Sequence, residues 1–450
     1  MIIWLTLLTY GGKKFKPMPN TPNYTFTPVL VDGARIPFLK SSTDYKHFMA
    51  YDLGRLAISG LMARNNIQGT SVDHVIMGTV IQEVKTSNIA RESALGAGIP
   101  TTVPAHTVSM ACISSNQAIT TGMDLIRTGQ AKIIVAGGSE TMSDIPVRFK
   151  KKFRQKVLDA RKYKSPIQFL NFFKGLGLKD FLPELPAIAE FSTGETMGQS
   201  ADRMASKFGV SRNDQDEFAM RSHHMAAKAT EDGLLDEELL SVSIPPKFKK
   251  ITHDNGFRAN TSLEKLSTLR PAFIKPHGTI TAGNASFLTD GASASLIMDE
   301  HTALELGLTP KAYLREYVYV SQDPGDELLL GPAYAAPKVL DRMGLKLDDI
   351  DVFELHEAFA GQVLSVLNAL DSDHFAKKSL DKESKIGKIP MGKMNTLGGS
   401  LSLGHPFGAT GVRLVTTAAN RLLREHGKYA LVTACAAGGQ GHAIILERYK

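Results

Sequence analysis

Cysteine, tryptophan and long hydrophobic runs are all scarce in this chain. Its 450 residues include only two cysteines, Cys112 and Cys435, and one tryptophan. Two cysteines are too few for a disulfide framework or a structural zinc site, so we expect a reducing compartment and no metal. The apolar run over residues 2–8 is far too short to span a bilayer. The composition, 43% hydrophobic and 22% charged, is otherwise that of a globular protein with two or three lobes.

Residues 1–26 contain no arginine and show no clear periodic element. Mitochondrial presequences are amphipathic and rich in arginine. This stretch has Lys13, Lys14 and Lys16 instead. We interpret it as a leader or loose terminus with a weak targeting signal.

The net charge of +7 is concentrated in one segment. Eleven lysines and arginines between Arg148 and Asp180 face two aspartates, so this segment carries +9 and the rest of the chain −2. Apolar residues recur beside these cations at helical spacing: Phe169, Phe172, Phe173 and Leu176. The pattern over 148–182 predicts an amphipathic helix lying in a membrane interface. The alternative is a solvated, charged hairpin packed on the chain's own core. Nucleic acid is not an expected partner, because no nucleic-acid-binding motif accompanies the charge.

Hydrophobic patterning predicts strands alternating with helices from Thr27 onward. The predicted strands and helices of the first part cover 28–32, 52–65, 72–80, 104–110, 114–127 and 132–136, the last strand ending at Gly137-Gly138. A helix over 408–425, a strand over 429–434 and a turn at Gly438-Gly439 repeat this order near the C-terminus. The rhythm predicts two duplicated α/β halves built on a mostly parallel sheet with helices on both faces.

The predicted halves are interrupted by an irregular, basic and proline-containing stretch. We expect the N-terminal half to comprise 27–145 together with 266–305, and the C-terminal half to comprise 306–450. Residues 146–265 then form an inserted loop domain that carries the basic segment.

Cys112 and His405 are the first candidates for chemistry. Cys112 stands between a predicted strand and a predicted helix, where the helix N-terminus should lower the thiol pKa and favour the nucleophilic thiolate. Backbone N–H groups there can also receive a developing oxyanion. His405 lies among several glycines and precedes Pro406, which fixes the chain. We interpret His405 as a positioned base rather than a capping histidine.

Cys435 and His356 also follow predicted strands. Cys435 precedes the turn at Gly438-Gly439, and His356 lies at a strand-to-helix junction. Ligand sites of α/β folds lie at the carboxyl ends of parallel strands. Four reactive side chains at such positions therefore indicate one site.

The blocks around these residues resemble the thiolase family, and the resemblance covers 27–450. It rests on residues 404–411, 434–443 and 281–291, and on the block around His356. More narrowly, the His356 and Cys435 blocks resemble the branch that acts in a mitochondrial multienzyme complex of fatty-acid β-oxidation. Most thiolases have Asn at the position of His356 and commonly Gly at that of Ala437. The resemblance implies a five-layer α-β-α-β-α arrangement.

The resemblance implies an acyltransferase that cleaves 3-ketoacyl-CoA with coenzyme A as co-substrate and no bound cofactor. His405 would take the proton of Cys112, whose sulfur attacks the 3-keto carbon. Backbone N–H groups of Cys112 and Ala437 would hold the oxyanion. His405 and His356 would stabilise the acetyl-CoA enolate, and Cys435 would protonate it and then activate incoming CoA.

The remaining implied contacts concern CoA, the partner chains and the membrane. Ser286 would line the pantetheine tunnel, Met197 would border the acyl end, and Arg258 would touch the nucleotide. The same resemblance implies a homodimer core, a partner alpha chain with hydratase and dehydrogenase activities, and a place in the mitochondrial matrix peripheral to the inner membrane. Three rivals stay open: a decarboxylating condensing enzyme, against which Cys435 argues; a biosynthetic acetoacetyl-CoA thiolase; and a non-catalytic scaffold.

Overall fold

The computed structural model describes residues 25–186 and 189–450. The predicted leader therefore falls, over residues 1–24, outside the described residues. The strands are β1 Pro28–Arg35, β2 Leu39–Lys40, β3 His74–Gly78, β4 Ala105–Val108, β5 Ile133–Glu140, β6 Arg148–Phe149, β7 Pro183–Glu184, β8 Val242–Ile244, β9 Lys249–Ile251, β10 Thr289–Asp299, β11 Ala312–Ser321, β12 Val352–Leu355, β13 Tyr429–Ala436 and β14 Gln440–Arg448. The helices are α1 Ala50–Arg64, α2 Ile89–Gly96, α3 Ser114–Arg127, α4 Lys151–Ala160, α5 Pro166–Leu170, α6 Met197–Lys207, α7 Arg212–Glu231, α8 Leu263–Ser267, α9 Glu300–Glu305, α10 Gly331–Met343, α11 Ala360–Leu370, α12 Asp373–Ser379, α13 Ser400–Leu403 and α14 Thr410–Arg424.

Ten of these strands form one mixed sheet. Its order is β12-β13-β14-β11-β1-β10-β5-β3-β4, with β2 beside β10. Only β3/β4, β3/β5 and β12/β13 pair in parallel, whereas the other pairs are antiparallel. The prediction of a mostly parallel sheet is therefore wrong. The physical reason is that β13 returns directly into β14 through a tight turn, and such a hairpin pairs strands in antiparallel.

The sheet is divided into two halves that share one strand order. The N-terminal half reads β4-β3-β5-β10-β1 and the C-terminal half β12-β13-β14-β11. In the C-terminal half, a parallel bridge from Phe353 to Met394 occupies the place of β4. The halves meet where β1 pairs with β11 over two residues only. This repetition confirms the predicted duplication.

Side chains on the two faces of each half enter different cores. In β5, Ile133 and Val135 pack in a cluster with α1 and α2, whereas Ile134 and Ala136 pack with α3 and α14. In β12, Val352 faces α14, and Phe353 joins the cluster that contains α10 and α11. Helices α3 and α14 therefore lie between the two halves of the sheet, with helices outside each half. This confirms the predicted five-layer arrangement.

Two glycines lie within a strand, not at its end as predicted. Strand β5 continues through Gly137 and Gly138 to Glu140. A Cβ atom on Gly138 would lie 1.7 Å from the carbonyl oxygen of Gly408. Only glycine permits this backbone approach, so the loop after His405 packs directly on the N-terminal half.

The basic segment forms a hairpin closed by pairing of β6 with β7. The predicted helix over its aromatic residues is shorter than expected, because α5 ends at Leu170 and Gly175 adopts a φ of 81°. Phe172 is half-buried and packs edge-on against Phe153, whereas Phe169 and Phe173 are exposed. Among the described residues, no helix is both long and apolar enough to cross a membrane.

Candidate active site

Cys112 lies in a sharp connection between β4 and α3. Ala111 adopts a positive φ of 46°, which is uncommon for a residue with a side chain, and Cys112 precedes the first helical residue by two positions. The thiol is half-buried. Backbone N–H groups of Ala437 and of Cys112 itself act on the sulfur and lower the pKa of the thiol. The site thus joins the N-terminal half to the turn after β13.

The expected lowering of the Cys112 pKa is not found. Desolvation by burial raises the pKa of this thiol to about 11, which outweighs the lowering by the N–H groups of Ala437 and Cys112. The charges of Glu140 and Glu190 add to the increase. The resting Cys112 side chain is therefore a neutral thiol, which must lose its proton if its sulfur is to act as a nucleophile.

His405 is held in one orientation by its neighbours. Its backbone N–H donates to Oγ1 of Thr289 at 3.0 Å, and its Nδ1 lies 2.6 Å from Oγ1 of Thr410. The Thr410 hydroxyl donates to the carbonyl of Pro406 at 3.1 Å, so its oxygen is free to accept from Nδ1–H. With the Thr410 proton on that carbonyl, Nδ1 of neutral His405 carries the ring proton and the lone pair lies on Nε2. Burial lowers the His405 pKa well below 6.5, so the imidazole is a neutral base at pH 7.

His356 lies immediately after β12 and is almost completely buried. Its Nδ1 is 3.0 Å from Oγ of Ser400, which also accepts a hydrogen bond of 2.9 Å from Arg413. Burial first, and then the charge of Arg413, lowers the His356 pKa to about 3. The ring centroids of His356 and His405 are 4.1 Å apart. Neither Nε2 atom has a hydrogen-bond partner among the described residues.

Three of the four predicted reactive residues meet directly. The sulfur of Cys112 and one ring nitrogen each of His356 and His405 lie within 4.8 Å of one another. Cys435 is buried in β13. Desolvation by burial raises the pKa of its thiol, and the charge of a nearby Cys112 thiolate raises it further. A weakly acidic thiol, a base, a second imidazole and a second thiol thus share one site. Such a set can perform nucleophilic attack and proton transfer on a carbonyl compound.

Several supporting residues were missed in the sequence. Glu140 accepts hydrogen bonds from the N–H groups of Val80, Ile81 and Gly408, and thereby ties the loop after His405 to the N-terminal half. Burial raises its pKa to about 7. Glu357 accepts from Leu401 N–H at 3.3 Å, which anchors the helix that carries Ser400. Glu357 and Thr410 lie inside the motif blocks and could have been found there, and Ser400 stands four residues before the block that begins at Gly404, whereas nothing in the sequence marks Glu140.

The three residues expected to contact CoA lie in separate places. Ser286 donates its N–H to the carbonyl of Ala358 at 2.9 Å, two residues after His356. Met197 is the first residue of α6 and packs partly buried against the core of the C-terminal half. Arg258 is exposed. Burial of Lys40 lowers the pKa of that side chain, and the charge of Arg258 lowers it further.

Comparison with known proteins defines the class. The family model for the thiolase N-terminal domain matches residues 28–301, and that for the thiolase C-terminal domain matches residues 308–448. This chain belongs to the thiolase family, and the predicted reaction class, acyltransferase, is confirmed.

The chain is similar over nearly its whole length to a particular member. It is 57% identical to the mitochondrial trifunctional enzyme subunit beta of Bos taurus, over 97% of this chain and 91% of that protein. It is 56% identical to a probable 3-ketoacyl-CoA thiolase of Caenorhabditis elegans, over 96% and 95% of the two chains. A crystal structure of human mitochondrial 3-ketoacyl-CoA thiolase in complex with CoA matches with a TM-score of 0.80 and 31% identity, covering 94% of this chain and 98% of that one.

Proposed function

We propose that this thiolase cleaves long-chain 3-ketoacyl-CoA with CoA, giving acetyl-CoA and a shortened acyl-CoA, through an acyl-Cys112 intermediate. The observation that carries the proposal is the meeting of the Cys112 sulfur with the two imidazoles within 4.8 Å. The names of the relatives support the substrate class. Fatty-acid β-oxidation is the process in which such a substrate is consumed.

The first half-reaction begins with two neutral groups. Nε2 of His405 removes the Cys112 proton while the sulfur bonds to the 3-keto carbon, and the oxyanion is received by N–H of Cys112 and Ala437. The bond between the α-carbon and the keto carbon then breaks. Its electrons pass to the acetyl-CoA enolate, whose oxygen accepts hydrogen bonds from protonated His405 and from His356. Cys435 gives its proton to the enolate carbon, and acetyl-CoA leaves.

The second half-reaction returns every proton. The Cys435 thiolate removes the proton of incoming CoA, whose sulfur attacks the thioester carbonyl of acyl-Cys112. The same N–H pair holds the second oxyanion. Collapse expels the Cys112 thiolate, which takes back the proton from His405, and the shortened acyl-CoA leaves. Burial favours this division of roles, because it raises the pKa of both thiols and makes each a proton carrier.

CoA-dependent cleavage of 3-ketohexadecanoyl-CoA and of acetoacetyl-CoA tests the proposal. The wild type should cleave the long substrate, and Cys112→Ala should lose this activity and form no acyl-enzyme. Cys435→Ala should also lose turnover, but its Cys112 should still be alkylated by iodoacetamide. Activity confined to acetoacetyl-CoA would favour the biosynthetic alternative. Unchanged turnover in Cys112→Ala would overturn the mechanism.

CoA recognition is proposed at Ser286, Met197 and Arg258. Ser286 donates its N–H to the carbonyl of Ala358, two residues after His356, and this position suits a contact with pantetheine. The cations of Arg258 and Lys40 suit the nucleotide phosphates. Arg258→Ala should raise the KM for CoA about fivefold with kcat unchanged, the signature of lost uniform binding. Lys162→Ala, at an exposed cation on the hairpin, is the matched control. An unchanged KM would remove Arg258 from the site.

Membrane contact is proposed through the hairpin over 148–182. Its apolar side chains include Ile167, Leu170 and Leu178, which are 73%, 75% and 91% exposed, and Phe169 and Phe173 are exposed as well. The lysines and arginines of α4 lie beside them and suit anionic headgroups. Phe172 and Leu176, which are half-buried, contribute less than the sequence predicts.

Sedimentation with vesicles tests this contact. The wild type should bind vesicles that contain anionic lipid more strongly than vesicles of phosphatidylcholine alone. Ile167→Glu with Leu170→Glu should abolish binding. Leu304→Glu with Leu306→Glu, at two exposed leucines near α9, should not. Equal binding by both double variants would leave the solvated-hairpin alternative.

A homodimer, an alpha partner and a mitochondrial location complete the proposal. Strand β4 is a half-buried edge strand that ends four residues before Cys112, and edge strands readily pair with a second copy. Light scattering should give twice the 48.8 kDa of the single chain. Co-expression with the alpha subunit of a trifunctional enzyme should yield a co-purifying complex. Matrix recovery with partial association to inner membranes is expected on fractionation, and carbonate washing should release it.

A further inference from the structure

Ser400 connects His356 to a buried cation. Its Oγ is 3.0 Å from Nδ1 of His356 and accepts a 2.9 Å hydrogen bond from Nη2 of Arg413. Arg413 in turn lies 3.6 Å from the carboxylate of Glu354, and both side chains are fully buried. These contacts form a chain from a charged pair in the core to the imidazole.

Counting donors assigns the direction of each hydrogen bond. A guanidinium has only donors, so Ser400 accepts from Arg413. The hydroxyl proton of Ser400 then needs an acceptor, and Nδ1 of His356 is the one within reach among the described residues. If Nδ1 carried a proton, this buried hydroxyl proton would be unpaired, which is costly. Ser400 therefore donates to Nδ1, and neutral His356 carries its proton on Nε2.

His405 has the opposite arrangement. With the Thr410 hydroxyl proton placed on the carbonyl of Pro406, Thr410 accepts from Nδ1–H of His405 and leaves a lone pair on Nε2. Two imidazoles with centroids 4.1 Å apart thus offer Nε2–H in one case and a bare Nε2 in the other.

We propose that Ser400 and Arg413 are positioning residues that fix His356 as the Nε2–H tautomer, so that the neighbouring histidines divide donor and base between them. His405 then takes the Cys112 proton, while His356 offers a hydrogen bond to the oxygen that becomes negative in the enolate. Arg413 prevents the Ser400 hydroxyl proton from rotating away from His356, because a guanidinium cannot accept a hydrogen bond. The inference deepens the role proposed for His356 and rests on it.

Solid-state NMR of the full-length chain with isotope-labelled histidine reads the tautomers directly. His356→Gln identifies the His356 signals by their loss. In the wild type, His356 should show a protonated Nε2 and a bare Nδ1, and His405 the reverse. A proton on Nδ1 of His356 would overturn the proposal. This reading does not depend on turnover, so it stays valid if the proposed acyl-enzyme mechanism fails in Cys112→Ala.

Ser400→Ala tests the consequence for catalysis. It should shift the His356 tautomer and lower kcat by ~10- to 100-fold with KM changed less than about threefold, as for loss of one oriented donor. Ser400→Thr, which keeps the hydroxyl, should restore most of kcat. Ser365→Ala is the control, because this buried serine bonds only the carbonyl of Gly361 among the described residues. Folded Ser400→Ala with the wild-type tautomer and kcat would overturn the role of Ser400.

Discussion

The ring centroids of His356 and His405 lie 4.1 Å apart, with the two planes at 46°. Each ring has its Nδ1 beside a hydroxyl, that of Ser400 or of Thr410, and neither Nε2 has a hydrogen-bond partner among the residues that the structure describes. Two side chains that could compete for one proton are thus held by different neighbours. Changes in those neighbours should alter catalysis without touching a reactive atom.

Alkylation kinetics should show that the resting thiol is neutral. Burial raises the pKa of Cys112 to about 11 and lowers that of His405 well below 6.5, so no ion pair forms in the free enzyme at pH 7. Because the thiolate is the reacting form, its fraction falls as pH falls below about 11. The rate constant for iodoacetamide should rise about tenfold per pH unit between about pH 7 and 10. Peptide mass spectrometry separates Cys112 from buried Cys435, and a rate already level at neutral pH would indicate a thiolate–imidazolium pair.

Thr410→Val should weaken the base. The hydroxyl accepts from His405 and donates to Pro406, so its loss frees the imidazole to change tautomer. We expect kcat to fall by roughly 10- to 100-fold, part of the 10²–10⁴-fold that a positioned base contributes. Steady-state thiolysis measures the change, and urea unfolding should show a loss of about 1 kcal/mol.

Thr416→Val is the matched control, on the same helix. The Thr416 hydroxyl is buried and has no hydrogen-bond partner among the described residues. Its removal should leave kcat near the wild-type value and should not lower stability. An equal fall in kcat for both variants would contradict the role given to Thr410.

Gly138→Ala should disturb the site from within the sheet. Its Cβ would lie 1.7 Å from the carbonyl oxygen of Gly408, so the loop after His405 must move. Overpacking of this kind costs about 1–3 kcal/mol, and kcat should fall as well. Gly122→Ala, in α3, is the comparison, because its Cβ would meet Ile134 at a tolerable 3.3 Å. Thermal unfolding and thiolysis of both variants test this, and a Gly138→Ala enzyme with normal kcat would show that the loop tolerates displacement.

Glu140→Gln should change how stability depends on pH. Burial raises the folded-state pKa of Glu140 to about 7, above its ordinary value of 4.5. A raised carboxyl pKa contributes stability that is fully present below about pH 4.5 and is lost as pH rises through 7. The unfolding free energy of the wild type, relative to Glu140→Gln, should therefore fall by roughly 2–3 kcal/mol over this interval. Urea titrations at several pH values measure it, and a constant difference would mean that Glu140 titrates normally.

An offset between these two proteins is expected at every pH. Both carboxylate oxygens of Glu140 accept hydrogen bonds from backbone N–H groups. An amide has only one acceptor oxygen, so one side of the network would face two donors. Glu383→Gln, at an exposed carboxylate, should show neither the offset nor the slope.

The elements flanking the site were predictable because their signals are local. The helix over Ser114–Arg127 was predicted with its observed bounds, and His356 does follow a strand directly, whereas the strand before Cys112 ends at Val108, two residues earlier than predicted. Strand direction was not predictable in this way. The antiparallel neighbours β10 and β14 arise from where the chain returns, and buried apolar runs look alike in either direction.

The electrostatic error at Cys112 has a different origin. A helix N-terminus was expected to lower the pKa, but desolvation depends on what packs over the thiol from distant parts of the chain. The hairpin error is similar. The spacing of Phe169, Phe172 and Phe173 suits a helix, but Phe172 instead packs on Phe153 and the helix ends at Leu170. Contacts between segments override local periodicity in both cases.

The seam between the two halves carries a consequence for how the enzyme comes into being. Cys112 belongs to the N-terminal half, whereas His405 and Cys435, the base and proton donor that we propose, and the Ala437 N–H all come from the C-terminal part of the chain. During synthesis Cys112 emerges long before these groups. A chain that stops short of β13 contains His356 and His405 but lacks Cys435 and Ala437, so we expect catalytic competence only when the final strands have docked. Enzyme activity therefore reports that the chain has folded to completion.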